Sequence, residues 1–269
     1  MPFAEVIGDP IAQSKSPIIH KYWLKQLGIE GEYIRTRVPA NELPDFIARR
    51  RTDAGWCGCN VTIPHKQAIM PLLDRLDPGA EVIGAVNCVI PEASGLAGYN
   101  SDIDGVAAAL DSVELKGRMA VVIGAGGGAR AVVAYLAQRN AEIVVLARNP
   151  AKSDELSSLA PVRILPLEQA VDAFEGAAAV INATSMGMAG ADPMPKSLLA
   201  SMRAHSEDAI LFDMVTTPAD TEFLACGDRT VDGVTMLIGQ ARRAFELFFG
   251  SIPPQGDAEL RRLLTGADQ

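Results

Sequence analysis

Short apolar runs alternate with amphipathic segments along the whole sequence, and this alternation predicts an α/β fold with mainly parallel sheets. The chain has 269 residues, of which 48% are hydrophobic and 21% are charged. This composition is typical of a globular protein, and the length suits two modest domains or one large domain. Neither an internal repeat nor a low-complexity tract interrupts the pattern.

Charge and cysteine content exclude several other classes of protein. The formal net charge of −9 makes a nucleic-acid binder or a basic membrane-surface protein a poor candidate. No apolar run reaches the roughly 18 residues of a membrane span, and the first ten residues lack the basic start of a signal peptide. The four cysteines form neither a disulfide framework nor a metal-ligand cluster. We therefore expect a cytoplasmic protein with reduced thiols and no metal site.

Three predicted strands alternate with three predicted helices in the first hundred residues. The strands are short apolar runs, and the helices are longer amphipathic segments. The predicted strands are residues 4–7, 33–38 and 57–62, and the predicted helices are residues 17–27, 43–51 and 64–73.

The composition shifts near residue 100, and a βαβ unit follows. We expect a first domain over residues 1–102, completed by C-terminal helices from residues 238–269 that pack back on it, and a second domain over residues 103–237. The predicted strands of the second half are 119–123, 143–146, 178–181 and 209–212, and the predicted helices are 103–110, 129–138, 235–249 and 257–264.

A glycine-rich turn joins the first strand and helix of this βαβ unit. Its Gly124-x-Gly126-x-x-Ala129 spacing fits the dinucleotide fingerprint, in which small residues allow a tight turn and a close approach to a pyrophosphate. Because the turn lies between an apolar strand and an amphipathic helix, we predict a Rossmann-type nucleotide-binding domain. Its candidate contacts are Gly124, Ala125, Gly126, Gly127, Gly128 and Ala129.

The end of the next strand indicates which nucleotide binds. NAD sites place an acidic residue there for the ribose 2′-hydroxyl, but this chain has Ala147, Arg148 and Asn149, followed by Lys152. The nearby acid, Glu142, lies at the wrong end of the strand. An arginine suits a 2′-phosphate, so the sequence favours NADP over NAD. The alternative is that Arg148 is a solvated loop residue.

Polar residues also lie where helices of the first domain are predicted to begin. Ser16 is the expected N-cap of the helix that starts at Pro17, and with Ser14 it would form a carboxylate site at the helix N-terminus. Lys66 would lie in the first turn of another helix, where the dipole disfavours a cation, and would suit proton transfer. Asp102 precedes the helix near Ile103 at the expected domain junction, where it would either cap that helix or meet Lys66 as an acid–base partner in a cleft.

Assembled in order, these segments resemble the shikimate dehydrogenase family over essentially the whole chain. Each segment alone is modest support, but many in the same order leave little room for coincidence. The matching segments are residues 8–17, 60–66, 84–87, 98–102, 124–129, 147–149, 182–188, 213–215 and 236–240.

The resemblance implies an NADP-dependent, metal-free, reversible reduction of 3-dehydroshikimate to shikimate. It implies that Ser14 and Ser16 hold the carboxylate of this small-molecule substrate, and that Lys66, oriented by Asp102, transfers the proton. It assigns the ring hydroxyls to Asn87, Asp102 and Gln240, and places Thr62 in the same pocket. Further cofactor contacts implied by the family are Thr184, Met186, Val215, Gly233 and Met236.

The chain departs from the family pattern in four places. Gln13, Cys88 and Ser101 replace a common histidine and two threonines, and Thr216 stands where a tyrosine usually reaches the substrate. Loss of that phenol removes a hydrogen bond worth about 0.5–1.5 kcal/mol and enlarges the pocket. Two alternatives therefore stay open, a quinate/shikimate-type paralogue and a non-catalytic NADP-sensing regulator. The family includes monomers and homodimers.

Overall fold

The computed structural model describes residues 1–266, apart from the side chains of Lys152, Asp154, Val171 and Asp172. The chain divides into two compact units. Unit 1 comprises Met1–Ser101 and the residues from Gln240 onward, and unit 2 comprises Asp102–Gly239. Within the described residues, no helix has both the length and the apolar character needed to cross a membrane.

Unit 1 is built on a six-stranded mixed sheet. Its strands are β1 (Phe3–Gly8), β2 (Glu32–Arg37), β3 (Trp56–Val61), β4 (Arg75–Leu76), β5 (Cys88–Glu92) and β6 (Gly95–Tyr99). The helices between them are α1 (Ser16–Leu27), α2 (Leu43–Arg50), α3 (His65–Ala68) and α4 (Pro78–Ile83).

The strand order in unit 1 is β2-β1-β3-β5-β6-β4. Strand β1 pairs in parallel with β2 and β3, whereas β5 is antiparallel to both β3 and β6. The carboxyl ends of β1 and β3 therefore lie at the same edge of the sheet; Ser14 lies in the loop after β1, and Lys66 lies in α3, which follows β3.

Unit 2 carries a six-stranded, fully parallel sheet. Its elements in chain order are α5 (Asp102–Leu110), β7 (Met119–Ile123), α6 (Gly127–Gln138), β8 (Glu142–Ala147), β9 (Val162–Pro166), β10 (Ala179–Asn182), α7 (Lys196–His205), β11 (Ile210–Asp213) and β12 (Thr230–Val231). Helix α8 (Gly233–Phe249) begins in this unit and ends in unit 1, which also contains α9 (Ala258–Thr265).

The strand order in unit 2 is β12-β11-β10-β7-β8-β9. This is the doubly wound arrangement, in which the strand order reverses between β7 and β10. Ligands of such sheets bind in the crevice at the carboxyl ends of the strands, beside that reversal. The structure thus confirms the α/β class and the Rossmann-type sheet that the sequence predicts.

The C-terminal helices pack on unit 1, as predicted, through a cluster of aromatic rings. The ring of His20 stacks on Tyr33 with the centroids 4.0 Å apart, and Phe245 and Phe248 of α8 lie within 6 Å of the same imidazole. His20 and Tyr33 are fully buried. Neither ring nitrogen of His20 has a hydrogen-bond partner, and burial lowers the pKa of this histidine to about 3.

Two predicted local features are wrong, and each has a physical reason. The helix expected over residues 64–73 is only the single turn α3, followed by a 3-10 turn at Met70–Leu72, because Pro71 lacks the N–H that would continue an α-helix. Ser16 is the first residue of α1 and does not cap it, since Lys15 occupies the N-cap position and no side chain bonds there as a cap.

The sequence also left several elements unassigned. Strands β5 and β6 form an antiparallel hairpin whose sequences contain Pro91 and Gly98, residues that are uncommon in strands. The short strands β4 and β12 have two residues each, too few for a pattern of alternation. Strand β9 and helices α4 and α7 were likewise not predicted.

The buried histidine predicts a loss of stability in acid. The folded state keeps His20 neutral, whereas the unfolded chain takes up a proton below about pH 6.5. The unfolded state therefore binds more protons as the pH falls from about 6.5 toward about 3, and the free energy of unfolding drops over that window. At pH 5 the loss from this residue is about 2 kcal/mol.

The measurement is urea unfolding of wild type and His20→Phe at pH 7 and pH 5. The variant keeps the ring stack but removes the titrating group, so wild type should lose about 2 kcal/mol more than the variant between the two pH values. His205→Gln, at an exposed position, serves as the matched control and should follow wild type. Equal losses in wild type and His20→Phe would contradict the interpretation.

Candidate active site

A pocket of about 390 Å³ lies at the carboxyl ends of β7, β8 and β10 in unit 2. Eight of the predicted cofactor residues line it, namely Gly124, Ala125, Gly126, Ala147, Arg148, Asn149, Thr184 and Met186. Ser153, Leu167, Ser185 and Asp192 also line it, and sequence reasoning did not identify them. The pocket occupies the position where the doubly wound sheet places its ligand.

The glycine turn has two kinds of glycine, which differ in whether a side chain at that position would clash with other protein atoms. Gly124 has a φ of +107°, and a Cβ there would lie 2.6 Å from Thr184 Cγ2, so the protein itself demands glycine. A Cβ at Gly126 or Gly127 would meet no protein atom within 4 Å. The space beside these two residues is open, at the N-terminus of α6, where free N–H groups suit phosphate oxygens.

The remaining residues of the turn pack inside unit 2. Ala129 is fully buried against the sheet, which matches the predicted need for a small residue at this position. A Cβ on Gly128 would lie 2.8 Å from Met214 Cε. Gly128 therefore brings α6 close to the loop that follows β11, and Ala129 packs in the core of the unit.

Arg148 lies at the carboxyl end of β8 and is exposed beside the pocket. Among the described side chains it has no ion-pair partner, whereas Arg130 in α6 pairs with Glu155 at 3.3 Å. The Arg148 guanidinium is thus available to an anion in the pocket, and this site fits a 2′-phosphate. The side chain of Lys152, the other predicted cation, lies outside the described part of the structure.

The loops after β10 and β11 carry the remaining predicted cofactor residues. Thr184 is half-buried at the pocket wall, while Met186, Val215 and Met236 are mostly buried in the unit. Gly233 lies against the loop after β11, because a Cβ there would be 2.4 Å from the carbonyl oxygen of Val215. The structure therefore places Val215, Gly233 and Met236 outside the lining of the pocket itself.

In unit 1 Ser14 and Ser16 lie side by side at the start of α1. The hydroxyl of Ser14 accepts a hydrogen bond from the Ser16 backbone N–H, and the two hydroxyls are 3.3 Å apart. Arg35 of β2 donates from Nε to the Ser14 carbonyl oxygen at 2.9 Å. Both serines are half-buried, and a basic side chain fixes the loop that presents them.

A buried polar chain runs from this loop into the centre of the sheet. Tyr33 bonds to Ser16 and donates its hydroxyl to Asn60 Oδ1, and Asn60 Nδ2 donates to the Asn87 carbonyl oxygen at 3.2 Å. The Asn87 Oδ1 in turn accepts the backbone N–H of Ser101 at 2.7 Å. Sequence reasoning missed Tyr33 and Asn60, whose partners lie far apart along the chain.

Lys66 and Thr62 lie at the carboxyl end of β3. The Lys66 carbonyl accepts from the Val86 N–H at 2.8 Å, which ties the lysine to the residue before Asn87. Thr62 packs so closely on the first strand that a Cβ at Gly8 would lie 2.6 Å from its methyl group. Because α3 has only four residues, its dipole is small, and the expectation that a helix dipole acts on Lys66 loses its basis.

Three further predicted residues are Asp102, Gln240 and Thr216. Asp102 is the buried first residue of α5, so it does not precede that helix as expected. It directly follows Ser101, whose backbone Asn87 holds. Gln240 is half-buried in α8 at the start of the C-terminal part of unit 1, and Thr216 is half-buried in the loop after β11.

Taken together, the doubly wound sheet, the glycine turn and the exposed arginine define a dinucleotide-binding α/β protein. No group of three or more histidine, cysteine, aspartate or glutamate side chains in the described residues has the geometry to hold a metal ion.

Three family profiles match the chain in order. A shikimate dehydrogenase substrate-binding domain matches residues 6–89, a shikimate/quinate 5-dehydrogenase domain matches residues 107–222, and a shikimate 5′-dehydrogenase C-terminal domain matches residues 233–258. The chain belongs to the shikimate dehydrogenase family, which confirms the resemblance drawn from its motifs.

Individual relatives agree over nearly the full length. The chain is 47% identical to a shikimate dehydrogenase (NADP(+)) of Sphingopyxis alaskensis, over 98% of this chain and 97% of that protein. It superposes with a TM-score of 0.89 and 30% identity on a shikimate dehydrogenase crystallised with NADP+, over 100% of this chain and 96% of that one. A Thermus thermophilus shikimate 5-dehydrogenase in complex with NADP(H) and shikimate gives a TM-score of 0.85 and 33% identity, over 99% and 100% of the chains.

Substitution of the two kinds of glycine should have different effects on stability. Gly124→Ala forces a side chain into a positive-φ position and against Thr184, so it should lower the free energy of unfolding by about 1–3 kcal/mol. Gly126→Ala has an ordinary φ of −83° and open space, so its stability should stay within about 0.5 kcal/mol of wild type. Urea unfolding of both variants checks the pair, and an equal loss in the two would contradict the assignment.

Proposed function

We propose that this protein catalyses the reversible, NADP-dependent reduction of 3-dehydroshikimate to shikimate. The observation that carries the proposal is the pocket at the carboxyl ends of β7, β8 and β10, with its open glycine turn and its exposed Arg148. The full-length relatives named for this activity support it. A cytoplasmic location, a monomeric or homodimeric state, and the absence of nucleic-acid or membrane partners remain predictions.

The residues of unit 2 fit NADP. Backbone N–H groups at the start of α6 would hold the pyrophosphate, Arg148 would bind the 2′-phosphate, and Thr184 and Met186 would line the far end of the nucleotide. When bound, the nucleotide supplies or accepts the hydride of the reaction. A substitution of Arg148, or a side chain that fills the open space at the glycine turn, should therefore weaken nucleotide binding.

The residues of unit 1 fit a small hydroxylated carboxylate. The hydroxyls of Ser14 and Ser16 would bind the carboxylate, and Asn87 and Gln240 would bind ring hydroxyls, with Thr62 beside them. Arg35, which donates a hydrogen bond to the Ser14 carbonyl oxygen, would add a positive charge near the substrate carboxylate. In this arrangement hydrogen-bond donors surround the anionic end of the substrate.

Lys66 and Asp102 would move the proton. The Lys66 ammonium would donate a proton to the carbonyl oxygen as the carbon receives the hydride, and the neutral amine would take the proton back in the reverse direction. The Asp102 carboxylate would orient the lysine and accept a hydrogen bond from the reacting hydroxyl. A positioned ammonium also stabilises the negative charge that develops on that oxygen.

A panel of substrates and nucleotides tests the proposal on purified protein. Shikimate and quinate are each assayed with NADP and with NAD, and reduction of 3-dehydroshikimate is followed with NADPH. Turnover of shikimate with NADP is the expected result. Because Thr216 replaces the usual tyrosine, quinate is the informative second substrate, and turnover of quinate alone would identify the paralogue. Absence of any turnover of shikimate with NADP would overturn the proposal.

Lys66→Ala separates chemistry from nucleotide binding. The variant should lose at least about a hundredfold in kcat, because general acid–base catalysis contributes roughly 10²–10⁴-fold. Its NADPH affinity, measured by fluorescence titration, should stay within about twofold of wild type. Lys116→Ala, at an exposed position, is the control and should keep full activity. Loss of NADPH binding in Lys66→Ala would show that the lysine is misassigned.

Arg148→Ala tests which nucleotide the pocket prefers. A charge-assisted contact to the 2′-phosphate is worth about 1.5–3 kcal/mol, so the KM for NADP should rise at least about tenfold. The KM for NAD, which lacks that phosphate, should change little. Arg163→Ala removes the same charge from an exposed position of unit 2 and serves as the control. Equal weakening of NADP and NAD would contradict a 2′-phosphate contact.

A further inference from the structure

A carboxylate is fully buried at the carboxyl end of β11, where the described residues offer it no basic partner. Asp213 has no solvent exposure, and it accepts three hydrogen bonds. The donors are Asn182 Nδ2 at 2.9 Å, the Val215 backbone N–H at 3.0 Å and the Thr221 hydroxyl at 2.6 Å. Burial raises the pKa of this carboxyl, although the three donors act against that shift.

The three groups around Asp213 are oriented as donors. The Thr221 hydroxyl donates its proton to the carboxylate while it accepts the N–H of Leu224 at 3.3 Å. The Asn182 amide is fixed in the same way, because its Nδ2 also donates to the Met186 carbonyl at 3.2 Å while its Oδ1 accepts both the N–H and the hydroxyl of Thr184. A carboxylate, which only accepts, is the group that matches these donors.

This polar cluster joins the two loops that follow the central strands β10 and β11. The Thr184 hydroxyl accepts a hydrogen bond from the Met186 N–H. Because both residues line the pocket, the cluster extends to the pocket wall. The two loops are also tied by the Ala189 N–H, which donates to the Thr217 carbonyl oxygen at 2.9 Å. Two loops whose buried residues Asn182 and Asp213 are 31 positions apart along the chain are therefore held together by this side-chain bond and by one backbone hydrogen bond.

The strand order indicates which part of a bound nucleotide would contact these loops. Across the sheet, β8 carries Arg148, β7 carries the glycine turn, and β10 carries Thr184 and Met186. A dinucleotide with its 2′-phosphate on Arg148 and its pyrophosphate on the glycine turn extends toward β10. Its nicotinamide end then lies over the loop that contains Thr184 and Met186.

We propose that Asp213 is a positioning residue for the nicotinamide half of the nucleotide, acting through Asn182 and Thr184. The inference rests on the proposed function, since it takes the nucleotide to be NADP. Asp213 has no solvent exposure and does not line the pocket, so it would act through its neighbours. Its carboxylate sets the loop after β10, and that loop sets the distance and angle at which the nicotinamide ring is held.

Asp213→Asn tests the proposal with almost no change in volume. Both carboxylate oxygens accept hydrogen bonds, so the amide nitrogen of the variant would replace one acceptor, and at least one buried donor must turn away or lose its partner. We expect the NADPH dissociation constant and the KM for NADP to rise about tenfold, and kcat at saturation to fall. The KM for shikimate should stay within about twofold, because the serines that bind its carboxylate belong to unit 1. Asp220→Asn removes the same charge from an exposed position in the same loop and is the matched control.

A second variant keeps the test informative if Asp213→Asn does not fold. Thr221→Val removes one of the three donors with no new clash, so it should raise the NADPH dissociation constant about two- to fivefold. Hydrogen exchange at 10 °C on either variant should show faster exchange in residues 183–188 and 214–217 than in Asp220→Asn. All binding and kinetic measurements are made well below the unfolding temperature of each variant.

The outcomes separate this inference from the proposed function. If wild type binds NADPH but does not turn over shikimate, the proposed function fails, and the binding measurements still decide the role of Asp213. If wild type is active and both Asp213→Asn and Thr221→Val keep the affinity and kcat of Asp220→Asn, the inference is overturned. A lower unfolding temperature with unchanged nucleotide affinity, kcat and KM would likewise overturn it, because it would reveal a structural role only.

Discussion

Polar groups buried where the central parallel strands end must find hydrogen-bond partners, and the rest of the structure depends on how this constraint is met. In unit 1 the side chains of Asn60 and Asn87 satisfy it, and in unit 2 those of Asn182 and Asp213 do so. Asn60 and Asn87 bond to backbone of other segments, whereas Asn182 and Asp213 bond to each other and to backbone of the loops that follow them. The same bonds that satisfy buried groups therefore fix the loops that carry the candidate functional residues.

The buried hydrogen bonds hold different parts of the chain in the two units. In unit 1 the chain of hydrogen bonds connects the Ser14–Ser16 loop with the backbone just before Asp102, so the residues proposed for carboxylate binding and for acid–base catalysis share one support. In unit 2 the cluster around Asp213 connects two loops beside the glycine turn. Since every member of such a network must be satisfied, loss of one partner costs more than a single surface hydrogen bond.

Sequence patterns predicted most of the parallel strands, because a buried parallel strand is a continuous apolar run that can be recognised locally. The glycine turn and Arg148 were found for the same reason, since their spacing along the chain carries the signal. The β5–β6 hairpin was missed because its strands contain proline and glycine. The single turn α3 was mistaken for a long helix because the apolar spacing continued past Pro71.

The supporting residues of the site could not be predicted in this way. Tyr33 meets Asn60, and Asn182 meets Asp213, about thirty positions away along the chain in each case. Such pairs follow from the strand order, which local patterns do not contain. The net charge of −9 is a similar case, because it does not reveal the local positive features, namely Arg35 in unit 1 and Arg148 and the N-terminus of α6 in unit 2, that we propose for anion binding.

The most direct test is a crystal structure of the protein with NADP and shikimate bound together. The account predicts the 2′-phosphate on Arg148, the pyrophosphate at the N-terminus of α6, and the shikimate carboxylate on Ser14 and Ser16. It also predicts that Lys66 and Asp102 lie within hydrogen-bond distance of the same shikimate hydroxyl. A complex in which that hydroxyl meets neither Lys66 nor Asp102, or in which the 2′-phosphate lies away from Arg148, would contradict it.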